Sequence, residues 1–202
     1  PDLMGLWGPD IFHTGVDPEY RRLVIESVVS ALTEATKALQ PARVAFHEIQ
    51  VPTEGLVADT RKPIVFDPDL RVMHFKRANG DQTIGSIVAW ANHPETPWGD
   101  NTEITSDFCG YLRDALEKGV IIEGRELAAG LRGIHMYVNG AIGGLLTTHP
   151  STVVRDPYLD RDFKQPSHEK AKAVAHQLVS RLLPRLSDTN AQTTSHAPIS
   201  IR

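Results

Sequence analysis

One cysteine in 202 residues, Cys109, rules out an internal disulfide and any cysteine-rich zinc module. It leaves the compartment open, because secreted enzymes without disulfides are common. No run of about 18 apolar residues exists, so no segment reads as a membrane-spanning helix. Neither charge dominates: 21 basic against 25 acidic side chains give a net −4. That balance implies no general attraction to nucleic acid or to an anionic membrane. H-E-x-x-H, G-x-G-x-x-G and internal repeats are all absent. The glycines near residue 143 are not followed by lysine, which excludes a P-loop. The chain opens Pro1-Asp2-Leu3-Met4, with neither an initiator methionine nor a leader, and reads as a processed or truncated product.

What remains is ordinary for a folded domain: 41% hydrophobic and 23% charged residues, over a length that can bury a sizeable core. Asp17-Pro18-Glu19 reads as a helix start, with Asp at the cap and Pro in the first turn. Tyr20, Val24, Val28, Leu32, Ala35 and Leu39 then recur at helical spacing, and Pro41 closes the run. Residues 42–51 favour a strand, and residues 52–68, with Pro52, Pro63 and Pro68, read as a loop.

Residues 70–77 and 83–92 read as strands flanking an Asn79-Gly80 turn. Ser106 is placed to cap a helix that ends at Lys118, with Gly119 as its stop. Residues 134–138 read as a buried strand, followed by the glycine-rich turn Asn139 to Gly144. Ser167 caps a last helix whose Val174, Leu178, Leu182 and Leu186 share a face, with Pro184 set to shorten it. The stretch after Ser187 is polar and reads as a loose tail or as the start of a further strand. The sum is an α/β fold, a layered mixed β-sheet packed by helices.

The chemistry concentrates at Ile87-Val88-Ala89-Trp90-Ala91-Asn92-His93-Pro94-Glu95. An apolar strand that ends in His-Pro delivers an imidazole from a rigid element to a surface crevice. His93 is therefore the leading candidate, as a zinc ligand or a base. The competing account is a ring satisfied by a backbone carbonyl. Glu95 and Asp107 are candidates to orient the site from behind. Each also has a structural account, Glu95 as a solvated carboxylate and Asp107 as part of a helix start. Asn92 reads as a partner of loop backbone. The turn from Asn139 to Thr147 offers amides for an oxyanion. His47, His74 and His135 fall within strands and are read as solvent-facing, Cys109 as a small core residue, and Arg61 as solvated.

Asn92-His93-Pro94 followed by Ile104-Thr105-Ser106-Asp107-Phe108-Cys109-Gly110-Tyr111 resembles the neutral/alkaline, non-lysosomal ceramidase family. Pro1-Asp2 resembles the end of that family's His-rich motif, and the helix and strand at Tyr20–Leu39 and Ala42–Ile49 follow in the same order. The resemblance covers residues 1–186, read as a partial catalytic domain, with 187–202 as the polar tail. It implies a zinc-dependent amidase that cleaves N-acyl sphingoid lipids. His93 would be one ligand to a single Zn2+, and the others would lie outside residues 1–202.

The resemblance thus implies an internal piece of a larger domain, inactive alone. It also implies a small lipid-like or amide substrate, peripheral membrane contact of the whole protein, and a secreted or periplasmic setting; it leaves the oligomeric state open. Leu146 falls where the family has its serine, which places Thr147 as the substitute hydroxyl, with Gly143 and Gly144 in the same loop. Arg61 and Asn139 correspond to substrate-proximal positions. The leucine also favours an alternative, a non-catalytic homologue that binds a lipid or sugar-like ligand.

Overall fold

The computed structural model describes residues 15–141 and 146–196. The chain divides into two compact units, residues 1–41 and 42–202. In the first, α1 (Pro18–Lys37) starts as its sequence dictates. The Asp17 carboxylate accepts from the amides of Glu19 and Tyr20 at 2.8 and 3.0 Å, and Pro18 occupies the first turn. Its apolar side chains, among them Leu23, Val28 and Leu32, are exposed.

The second unit is built on a four-stranded mixed sheet in the order β1-β2-β3-β6. β1 (Ala42–Gln50), β2 (Asp69–Arg77) and β3 (Thr83–Trp90) form an antiparallel meander, and β6 (Ile134–Asn139) joins β3 in parallel. Period-2 alternation buries Leu70, Val72, His74 and Lys76 of β2 on one face, with Val88 and Trp90 of β3 beside them. Against that face pack α2 (Asp107–Lys118), through Phe108, Leu112 and Leu116, and α3 (His168–Leu186), through Val174, Leu178 and Leu182. The Phe108 ring meets Trp90 and Tyr137 edge to face at 6.1 and 5.3 Å, pairs worth about 1 kcal/mol each beyond their burial. The α/β reading of the sequence holds. Gly85 is what lets β6 approach, because a Cβ there would sit 2.1 Å from the Ile134 carbonyl oxygen. No described helix is long and apolar enough to cross a membrane.

Several local expectations change. The β2–β3 connection is a five-residue loop closed by the Arg77 amide on the Gln82 carbonyl, and only Gly80 takes positive φ there, with a bulge at Phe75/Lys76. Pro184 does not shorten α3, which runs through it to Leu186. Two hairpins, β4 (Gly119–Ile122) with β5 (Arg125–Ala129) and β7 (Val154–Asp156) with β8 (Arg161–Phe163), arise where the sequence suggested no strand. The polar segment after Ser187 is tied down, for Thr194 and Val44 exchange two backbone hydrogen bonds of 2.9 Å.

His74 and His135 are buried rather than solvent-facing, because each finds a polar neighbour inside the sheet. His74 Nε2 lies 2.9 Å from Thr83 Oγ1. For His135 the tautomer follows from chemistry: Arg132 O can only accept, so Nε2–H donates to it, and Nδ1 accepts from the Ser86 hydroxyl. Burial lowers both imidazole pKa values, that of His74 to about 4 with help from Lys76. His47 is half-buried. Cys109 is half-buried against the core, its thiol pushed up to about 12 by burial.

Lys170, wholly buried, has its ammonium Nζ donating to three backbone carbonyls, those of His149, Pro150 and Lys164, at 3.1–3.2 Å.

Candidate functional site

β3 ends at Trp90 and hands the chain on through Ala91 and Asn92, both buried, to His93, whose side chain keeps 27% of its surface in solvent. Three segments run side by side here. Ala58 pairs antiparallel with Thr147, and Thr147 pairs in parallel with His93, whose amide donates to the Leu146 carbonyl at 2.9 Å. Paired residues project to the same face of a sheet, so the Thr147 hydroxyl and the His93 imidazole share one side. Leu146 faces the other way and is part of the core. On that opposite side Asn92 Nδ2 donates to Thr148 Oγ1 at 3.1 Å, and Thr148 donates to the Leu56 carbonyl at 2.8 Å. Asn92 thus binds a side chain, not the loop backbone.

The loop after His93 is tightly folded. The Glu95 amide returns to the His93 carbonyl at 3.0 Å, and a Glu95 carboxylate oxygen lies 3.9 Å from His93 Nδ1. Asp107, 2% exposed, accepts from the Thr96 amide at 2.6 Å and from the Phe108 amide. The Ser106 side chain makes no capping bond, and at the start of α2 Asp107 takes only the adjacent Phe108 amide. Burial raises the Asp107 pKa, against the pull of those two amides. Asp107 and Trp98 both hold positive φ, 53° and 59°. Residues other than glycine occupy that region at a cost of roughly 1–3 kcal/mol, and such residues cluster at ligand sites.

The second signal is polar atoms without partners. Among the described residues, Thr147 Oγ1, Thr96 Oγ1, Asn92 Oδ1 and Trp90 Nε1 are buried and unbonded, as are Arg43 Nε, His47 Nε2 and His74 Nδ1 in β1 and β2. The first four belong to the end of β3, the loop after it, or the segment paired with it. Buried hydroxyls and amides almost always find a partner; of these, Thr147 Oγ1 lies on the His93 side, while Asn92 and Trp90 belong to the opposite, core side.

The other sequence candidates fall around this centre. Arg61 lies just beyond Ala58, half exposed, with its Nε 3.6 Å from Asp59; the Arg61 amide in turn holds the Asp59 carboxyl below its usual value. Asn139 ends β6, exposed, in register with Trp90. The neighbouring Gly140 amide is already spent on the Trp90 carbonyl at 2.9 Å, so it is no oxyanion donor. Gly143 and Gly144, like Pro1-Asp2, lie outside the described residues. Sequence reasoning passed over Thr96 and Trp98, which carry no motif; the apolar–proline setting of Trp98 was its one hint.

Zinc meets a partial fit. No three His, Cys, Asp or Glu side chains among the described residues converge to hold a metal. His93 alone offers an imidazole at the exposed end of a strand, where catalytic zinc ordinarily takes three protein ligands.

No family model matches the chain, and no curated protein does at the level of sequence. Its architecture is nevertheless similar to solved ceramidases. The neutral ceramidase of Pseudomonas aeruginosa superposes with a TM-score of 0.58 at 15% identity, over 78% of this chain and 24% of that one. A ceramidase complexed with C2 gives 0.52 at 15% identity, over 70% and 22%. The fold is ceramidase-like, and the chain spans about a quarter of those structures.

Proposed function

We propose that this chain carries part of the catalytic centre of a hydrolase that cleaves amide bonds of N-acyl lipids or related amides and esters. The observation that supports it most is the pairing of Thr147 with His93, which sets a buried hydroxyl lacking a partner on the same face as a partly exposed imidazole. The reading draws further support from the ceramidase-like fold and from the His-Pro and Ser-Asp segments that bracket the site.

In this reading Thr147, rather than Leu146, supplies the hydroxyl. Its Oγ1 is free to donate to the oxygen of a scissile carbonyl and to accept from an attacking water, the two positions where charge and proton move during acyl transfer. Glu95, beside His93 Nδ1, orients the ring, while Asp107 fixes the loop through Thr96. Arg61 and Asn139 would meet the substrate at the rim. Zn2+, where bound, would polarise the carbonyl and acidify water; His93 would be one of its ligands, and the rest would come from beyond the described residues.

Metal content and turnover of N-acyl and ester substrates by the whole natural protein test this directly. His93→Ala should strip the zinc, and Thr147→Val should keep the metal while turnover drops roughly a hundredfold or more. Zinc content unchanged by His93→Ala removes the reading. Bound zinc with no turnover by the unmodified protein leaves a binding module on the same scaffold.

A further inference from the structure

Next to His93 lies an open cavity of about 390 Å3 whose lining includes Pro94, Glu95, Pro97, Trp98, Asn101 and Asp107. Trp98 is held in it at strained φ, 41% exposed, with an edge-on contact to the His149 ring at 5.5 Å. A large apolar side chain kept in a costly backbone state and still half in water gains little for the fold. Strained residues of this kind are found at ligand clamps as well as at turns.

The charge around it has one sign. The cavity lining contains two carboxylates and no lysine or arginine. Asp107 is committed to the amides of Thr96 and Phe108, where it offsets the positive end of α2. Glu95 keeps 52% of its side chain exposed while lining the cavity and approaching His93. An indole beside a carboxylate attracts cations, through the ring's quadrupole and through direct charge.

We infer that this cavity receives an organic ammonium group, the amine half of the amide, on Trp98 with Glu95 as counter-charge. The inference rests on the hydrolase reading for the source of that amine. Hydrolysis breaks the C–N bond and joins the water oxygen to the acyl carbon. Both water protons end on nitrogen, giving a carboxylate and an ammonium from a neutral amide and one water. The ammonium forms within reach of Glu95, so the cavity holds the amine half before cleavage and its charged product after.

The test is direct binding, without turnover. The protein is titrated at pH 7 with butylammonium, with 1-butanol as its neutral counterpart and with methyl glucoside, and followed by the NMR shifts of the indole N–H groups. Butylammonium should bind roughly tenfold more tightly than butanol and move the Trp98 signal. Trp98→Leu should abolish that preference, and Glu95→Gln should weaken the ammonium several-fold while sparing butanol. Equal affinities, preference for the glucoside, or indifference to both substitutions overturns the assignment. Failure here leaves the hydrolase reading standing. Ammonium binding without any amide turnover by the whole natural protein removes that reading and keeps the cavity's charge preference.

Discussion

Two histidines in the same unit live by opposite rules. His176, on α3, has Nδ1 2.7 Å from a carboxylate oxygen of fully buried Asp156, whose other oxygen accepts from the amides of Tyr158 and Leu159; the Tyr158 ring closes over the imidazole at 5.3 Å. His93 has the Glu95 carboxylate at 3.9 Å and keeps 27% of its side chain in solvent. The first arrangement is tightly bonded and fastens β7 to α3, although both side chains also line a cavity of about 390 Å3. The second is looser and partly open to water, so distance and burial, rather than residue type, separate the two. Histidine paired with an acid describes both.

Breaking the tightly bonded pair should cost most. Asp156→Ala strands His176 and two backbone amides, and should lower unfolding free energy by about 3–4 kcal/mol in urea titration. Acid is the next lever. His74 titrates near 4 in the folded protein against 6.5 in the unfolded chain, so the unfolded state takes up its proton first. That stability is whole above pH 6.5 and drains as pH falls toward 4, by roughly 3 kcal/mol. His74→Leu should flatten that part of a stability–pH curve, and a slope that persists unchanged would place the acid sensitivity elsewhere. Asp156 adds a loss at lower pH. Burial opposes its ionisation, yet the bond to His176 and the two amides carries its pKa below 3.8.

The more open region should behave in reverse. Trp98→Asn, which suits positive φ, should raise the melting temperature, with a gain of about 1 kcal/mol. Thr147→Val removes a hydroxyl that nothing satisfies and should change stability by less than about 1 kcal/mol in either direction. A large loss in either variant would mean that these residues hold the fold together after all, and would erase the contrast with His176.

Local chemistry was legible in the sequence. The caps at Asp17 and Ser167, the buried β3 and the helix after Ser106 all follow from a few adjacent residues. What escaped depends on pairing across the chain. His74 and His135 look like surface residues until Thr83, Ser86 and the Arg132 carbonyl are brought to them. The Ala58–Thr147–His93 alignment joins three segments far apart in sequence, and no spacing rule announces it. Spacing from the glycines could not say which of Leu146 and Thr147 shares the His93 side; the strand alternation that turns Leu146 into the core and Thr147 to the other face becomes visible only once the Leu146 carbonyl is seen to accept from His93.

Lys170 carries one more implication. All three of its N–H donors are taken by main-chain oxygens on two stretches that flank the start of α3. Neither stretch can slide without abandoning a positive charge in a dry interior. The turn at His149 and Pro150 is therefore pinned to the helix like a hinge with its pin driven home, which leaves the 94–105 loop freer to move than the stretch it faces.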